Sequence, residues 1–162
     1  MTSSIKKIIN KKSLSRLMAV QIYYQYEFFD KKIDLDQISK DVVENYLLSQ
    51  DEDISSYEKN ISAEFLSNLI QGLENNSIKI DKNIEEFLNS PWSIETIDEI
   101  TLQIVRFGCL ELESSTDTPA KVVIDEYVDI AASFFDDKKV TFVNAILDKI
   151  AKQHRKNEFK NA

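Results

Sequence analysis

The chain has 162 residues, 43% of them apolar, which suits one compact domain with a buried core and leaves little room for two. Its scarcity of turn-formers, two glycines (Gly72, Gly108) and two prolines (Pro91, Pro119), excludes many-stranded sandwiches and barrels, and also the glycine-rich phosphate loops of nucleotide-binding folds. One cysteine, Cys109, and one histidine, His154, exclude an internal disulfide and a metal site of ordinary spacing, and a net charge of −8 argues at first sight against a nucleic-acid partner.

Helices remain, and hydrophobic spacing places them. Ser13 is a candidate cap for a first helix running to about Phe29, with Leu14, Leu17, Met18, Gln21, Ile22 and Tyr24 on its stripe. The second is expected over about Asp36 to Leu48, inward through Ile38, Val42, Val43, Tyr46 and Leu47. The third runs from about Ser56 to Leu73, where Asn75 and Asn76 are expected to stop it. Ile78, Ile80, Ile84 and Phe87 mark a separate fourth helix ending near Asn89.

The spacing predicts a fifth helix from about Ile94 to Glu113, with Gly108 at a close helix approach, since glycine in mid-helix costs about 1 kcal/mol against alanine. Thr118 and Pro119 read as cap and first-turn proline of a sixth helix reaching Phe134. Asp137 opens a seventh on the stripe Val140, Val143, Ile146, Leu147 and Ile150, fraying into a basic tail. The expected architecture is all-α: about seven helices in two small antiparallel bundles sharing a core, one domain over residues 1–162 with sub-bundles at about 13–76 and 77–155. No apolar run approaches the roughly 18 residues of a membrane span, and a reducing cytoplasm is the expected compartment.

Charge is unevenly spread. Residues 1–26 carry Lys6, Lys7, Lys11, Lys12 and Arg16 and no acid, and residues 149–162 carry five basic side chains against Glu158. The middle holds 10 basic and 27 acidic residues. Brought together, the two ends would make a positive face for a polyanion; kept apart, they are two solvated tails.

Catalytic constellations are absent from the pattern. Adjacent acidic pairs such as Asp125 and Glu126 point about 100° apart on a helix and share no site, Cys109 reads as a buried thiol, and no triad, metal box or cofactor loop is found, so no enzyme activity and no cofactor are expected. Two features suit single-stranded RNA. Arg16, Gln21, Tyr23 and Tyr24 follow the lysine run, and Phe142 stands at the edge of the last stripe near Asn144 and Lys149, as a base-stacking aromatic or equally as core.

The order of segments Ala19 to Gln25, Trp92, Val105-Arg106 with Glu111-Leu112, Asp117 to Tyr127 and Phe142 to Lys149 resembles the NusB family of bacterial transcription antitermination factors over nearly the whole chain. The resemblance implies a two-bundle helical fold and a non-enzymatic role: binding boxA RNA together with NusE, a small-subunit ribosomal protein, within the antitermination complex of RNA polymerase. It assigns RNA contact to Lys11, Lys12 and Arg16 in the arm and to Phe142 and Asn144 at the last helix, and NusE contact to Tyr24 and to the start of the fifth helix at Thr101. The charge pattern adds Lys6 and Lys7 to the RNA set, and the amide of Gln21 joins them. Departures from the family are a lysine-rich rather than arginine-rich arm, Thr141 in place of a lysine before the Phe-Val-Asn motif, Ala145 in place of a glycine after it, and Thr101 in place of an acid. The contrasting reading is a helical adaptor that binds only protein through its acidic body.

Overall fold

The computed structural model describes residues 10–52, 57–89, 91–114 and 117–160. Among the described residues the structure is all-α: α1 (Lys11–Phe28), α2 (Leu35–Ser49), the single turn α3 (Tyr57–Asn60), α4 (Ala63–Phe87), α5 (Glu99–Ser114), α6 (Ala120–Phe134), α7 (Asp137–His154) and a closing 3-10 turn (Lys156–Phe159). The chain divides into two compact units, Met1–Asn68 and Leu69–Ala162.

In the first unit, α1 begins two residues before the expected cap. Asn10 takes that role, its side chain accepting the Ser13 N–H at 2.7 Å, so Ser13 lies inside the first turn. Leu14, Met18 and Ile22 recur every four residues and are buried, with Ala19 and Tyr23 beside them. The helix ends where Asp30 and Lys31 turn left-handed, at φ 54° and 60°, and the Lys31 N–H reaches back to the Tyr26 carbonyl at 2.9 Å. Helix α2 packs against α1 with Ile38, Val42, Val43 and Leu47 buried as the spacing predicts, whereas Tyr46, expected with them, is half-buried. Ser15 ties α1 to the chain entering α4: it accepts the Ser62 N–H at 3.0 Å while its hydroxyl donates to the Lys11 carbonyl at 2.7 Å.

Helix α4 corrects the sequence reading. The helix expected from Ser56 is interrupted after Asn60, and the chain from Ala63 onward forms one 25-residue helix rather than two. Asn75 and Asn76 do not break it, because Leu66, Leu69, Leu73, Ile80 and Ile84 keep one buried stripe in register across the pair, and Asn76 spends its side-chain donor on the Gly72 carbonyl four residues back, at 2.8 Å. Ile78, expected on that stripe, is 87% exposed.

In the second unit, α5, α6 and α7 pack pairwise. Helix α5 starts at Glu99, not Ile94, because Ser93 and Thr96 form their own turn (Ser93 N–H to Thr96 Oγ1, 2.8 Å) and Asp98 caps the helix proper, accepting the Thr101 N–H at 3.0 Å. Every residue from Thr101 to Leu112 is buried. Gly108 does sit at a close approach: a Cβ there would lie 2.7 Å from Leu147 Cδ2 of α7.

Thr118 does not cap α6. The Ala120 N–H is taken by Glu158 Oε1 at 2.8 Å, and this bond, with Arg155 next in weight, holds the Glu158 carboxyl below its usual pKa. Arg155 also corrects the expected fraying. It is 7% exposed and donates to the Leu112 carbonyl (2.8 Å), to the Glu111 and Thr118 carbonyls (3.1 Å each) and to Glu158 (2.7 Å), so the residues after α7 are pinned to α5.

Replacing Arg155 by Ala leaves buried carbonyls at the end of α5 without their donor. Urea unfolding of Arg155→Ala is expected to show a loss of about 3 kcal/mol. A change within 0.5 kcal/mol (roughly the scatter of surface substitutions) would return this segment to a solvated tail.

Candidate nucleic-acid interface

The turn before α5, the first turn of α5 and the start of α7 enclose a groove of about 330 Å³ lined by Trp92, Ile97, Asp98, Thr101, Asp136, Lys138, Lys139 and Phe142. Its volume falls near the lower end of the roughly 300–1,000 Å³ typical of small-ligand sites. Trp92 is 53% exposed, and its ring lies 6.2 Å from that of Phe142, tilted by 48°. Phe142 is half-buried: Val143 and Ile146 face the core, which turns Phe142 to the groove. Asn144 is exposed two residues further along α7, on another face of the helix, and does not line the groove.

Polar groups fix one wall. Thr101 Oγ1 donates to Asp98 Oδ2 at 2.8 Å, and Lys139 Nζ bridges to the same oxygen while lying 4.2 Å from the centre of the Phe135 ring. Burial works against the Asp98 charge, but the Lys139 ammonium together with the Thr101 N–H and O–H outweighs it and holds the pKa below the usual carboxylate value. The carboxylate is therefore an acceptor-only group at neutral pH. Lys138 is exposed at the rim. Aromatic faces, a fixed acceptor and ammonium groups make a surface that can stack a flat ring, bond its edge and hold an anion.

The arm residues lie in the first unit. Lys11 and Lys12 are exposed on the first turn of α1, and Lys12 Nζ lies 5.3 Å from the centre of the Phe65 ring. Arg16, expected at the surface, is 2% exposed with its guanidinium 5.0 Å from the same ring, so in the free chain it packs rather than presents its charge. Gln21 and Tyr24 are half-buried. The Tyr24 ring lies 6.3 Å from that of Phe28, which is 67% exposed and stands edge-on to Phe29. Lys6 and Lys7 lie outside the described residues.

Thr101, assigned by resemblance to a protein partner, is 2% exposed and sits in the groove with Phe142, assigned to RNA. Sequence reasoning noted Trp92 only as a family mark and missed Lys138 and Lys139 as site residues. The one available signal was Lys138 and Lys139 standing just before the Phe-Val-Asn motif.

Cys109 and His154 take no part. Cys109 is fully buried, and burial, then the charge of Glu113 to which its thiol donates at 3.4 Å, pushes its pKa up, so it stays an unreactive thiol. His154 closes α7 with Nε2 3.3 Å from Glu113 Oε1, instead of lying in a loose tail. Among the described residues no cluster of three or more His, Cys, Asp or Glu could hold a metal ion, and no helix is long and apolar enough to cross a membrane.

An all-helical chain with an aromatic groove flanked by lysines and a lysine-bearing first helix has the makings of a nucleic-acid-binding helical protein. The chain belongs to the NusB family, which it matches over residues 13–152. It is 34% identical over 158 residues to the transcription antitermination protein NusB of Nitrobacter hamburgensis, covering 96% of this chain and 95% of that one. To the NusB of Rhizobium johnstonii it is also 34% identical, over 92% and 91%. Among solved structures, NusB of T. maritima superposes with a TM-score of 0.72 at 27% identity, covering 92% of this chain and 96% of that one. A chain from the complex of antitermination factors NusB and NusE with double-stranded RNA gives 0.67 at 25% identity, over 88% and 96%.

Because the folded-state pKa of Asp98 is lowered, its charge stabilises the protein above the usual value of 3.8, and that contribution is lost as pH falls through the lowered one. Asp98→Asn keeps a capping oxygen and removes the charge. The stability gap between wild type and Asp98→Asn is expected to be open at pH 7 and to close as pH drops below the carboxylate range, read by thermal unfolding. A gap that stays constant with pH would mean that the bond to Lys139 contributes nothing through charge.

Proposed function

We propose that this chain is a cytoplasmic, non-catalytic transcription antitermination factor that binds boxA-type single-stranded RNA together with NusE and supports read-through by RNA polymerase, especially on ribosomal RNA operons. The observation that carries this reading is the groove, which sets Phe142 and an exposed tryptophan beside two lysines in a member of the NusB family. A related chain's complex with NusE and double-stranded RNA supports NusE and RNA as the classes of partner. The whole chain acts as one RNA-binding module.

Capture is electrostatic and reading is local. Lys11 and Lys12, with Lys6 and Lys7 before them, hold phosphates of an unpaired stretch, while Phe142 takes a base and the amide of Asn144, exposed on another face of α7, bonds a neighbouring nucleotide. Arg16 and Gln21 support the arm from beneath, since neither is exposed. Tyr24, with exposed Phe28 beside it, is one NusE-facing position, and the first turn of α5, where Glu99 is exposed and Thr101 is not, is the other. The exposed aromatics of α1 favour a protein contact in addition to RNA, so an adaptor that touches only protein is the reading to be tested against.

About five ammonium contacts on a single strand, four from the arm lysines and one from Lys138, give a log-log salt slope of roughly −3.5. Gel-shift titration of boxA-like RNA in the presence of NusE is expected to return that slope, and no RNA-dependent shift with or without NusE would leave the adaptor instead. Phe142→Ala is expected to cost about 1–3 kcal/mol of RNA affinity with helix content unchanged. Unaltered affinity would make Phe142 a packing residue.

A further inference from the structure

We propose that the groove between Trp92 and Phe142 receives a single unpaired nucleobase bearing an exocyclic amino group, with the Trp92 indole as its stacking face and the Asp98 carboxylate as the acceptor that reads the amino group. This deepens the proposed RNA-binding function and rests on it: it names the ligand of the groove and adds Trp92 and Asp98 as specificity-determining residues.

Three observations point the same way. First, Trp92 is the only tryptophan of the chain, and more than half of its surface is exposed, although indole is among the side chains that gain most from burial. The 48° tilt and 6.2 Å separation from Phe142 mean that the two rings do not stack on each other, so the indole face remains open to a third ring. Second, the acceptor is held in place. Asp98 Oδ1 takes the Thr101 N–H, Oδ2 takes the Thr101 hydroxyl and Lys139, and the side chain still keeps 37% of its surface exposed beside the groove. A carboxylate only accepts, so it bonds the amino group of cytosine and repels the carbonyl that uracil presents at the equivalent position. Third, the charges around the groove decide between occupants. Lys138 and Lys139 are matched among the lining residues by Asp98 and Asp136, so the groove has little net charge of its own and offers a charged side chain of either sign no net attraction to offset its desolvation. A neutral flat ring with an amino edge, its own phosphate beside exposed Lys138, fits those constraints.

Because Trp92 is the sole tryptophan, its emission reports on this groove alone. The test titrates the full chain with 12-residue oligocytidylate and oligouridylate, following Trp92 fluorescence and gel shift together. Oligocytidylate is expected to quench Trp92 and to bind at least about fivefold tighter than oligouridylate. Trp92→Ala is expected to lose roughly tenfold in affinity for oligocytidylate with the salt slope unchanged, because stacking displaces no counterions. Trp92→Phe, which keeps a stacking face and guards against a folding defect, should lie within about threefold of wild type. Asp98→Asn, which retains a capping oxygen, should bring the two oligonucleotides close to equal affinity.

If the oligonucleotides shift the protein but leave Trp92 emission and the Trp92→Ala affinity untouched, the groove is not a base site and the RNA reading stands without it. Equal binding of the two by the wild type overturns the role given to Asp98. A fluorescence change on adding NusE but not RNA makes the groove a protein contact and overturns the proposal. If neither these oligonucleotides nor boxA-like RNA shifts the protein, with NusE present, it is the RNA reading itself that fails.

Discussion

Helix α5 has no solvent face from Thr101 to Leu112, and a helix buried on all sides must satisfy each of its polar side chains from neighbouring elements. Arg106 is met by a bidentate pair with Asp81 of α4 (Nε to Oδ1 2.8 Å, Nη2 to Oδ2 2.7 Å), Glu111 by the Tyr127 hydroxyl of α6, and the last carbonyls by Arg155 just after α7. Each partner comes from a different segment, so α5 fixes the order in which the second unit packs. The groove inherits its geometry from this arrangement. Asp98 caps the N-terminus of α5 and holds Lys139 of α7, so the wall that carries Thr101 and the wall that carries Phe142 are tied at one carboxylate.

How legible each feature is in the sequence depends on how far its determinant lies along the chain. The stripes of α2 and α7 were readable because helical periodicity is a local property, and Gly108 was readable because a mid-helix glycine has a cost that only close packing offsets. The helix ends were less so. Thr118 has the chemistry of a cap, but the Ala120 N–H is claimed by Glu158, 38 residues away. The pair Asn75 and Asn76 has turn chemistry, yet the stripe of α4 continues through it in phase, and burial of Ile80 and Ile84 outweighs two weak helix formers. A local signal loses wherever a distant partner offers more.

The candidate site divides along the same line. Phe142 is legible as a candidate at the edge of an apolar stripe, and Asn144 as a polar group on another face of the same short motif. Trp92 was not visible as a wall of the same groove, since its proximity to Phe142 joins segments 50 residues apart and depends on the turn at Ser93 and Thr96. Arg16 shows the opposite failure: a basic residue in a basic run reads as a surface charge, but Phe65 supplies a ring face that its guanidinium covers. Charge patterning identifies which segments are cationic and does not say which of their side chains point outward.

On the proposed function, in a chain of net charge −8, exposed lysines on α1 and a near-neutral groove at the start of α7 divide two tasks that a uniformly basic surface would merge. Phosphate contacts scale with charge and salt and carry no sequence information, whereas stacking and edge bonding distinguish bases and respond little to salt. Lysine suits the first task, because an ammonium on a flexible stem follows a mobile single strand without demanding the bidentate geometry that arginine offers. The groove suits the second, because its lysines are balanced by Asp98 and Asp136 and cannot hold a polyanion by charge alone. On the proposed function the acidic body acts as a filter: it opposes nucleic acid away from those lysines and the aromatic slot, so a strand gains from offering both a flexible backbone and an unstacked base.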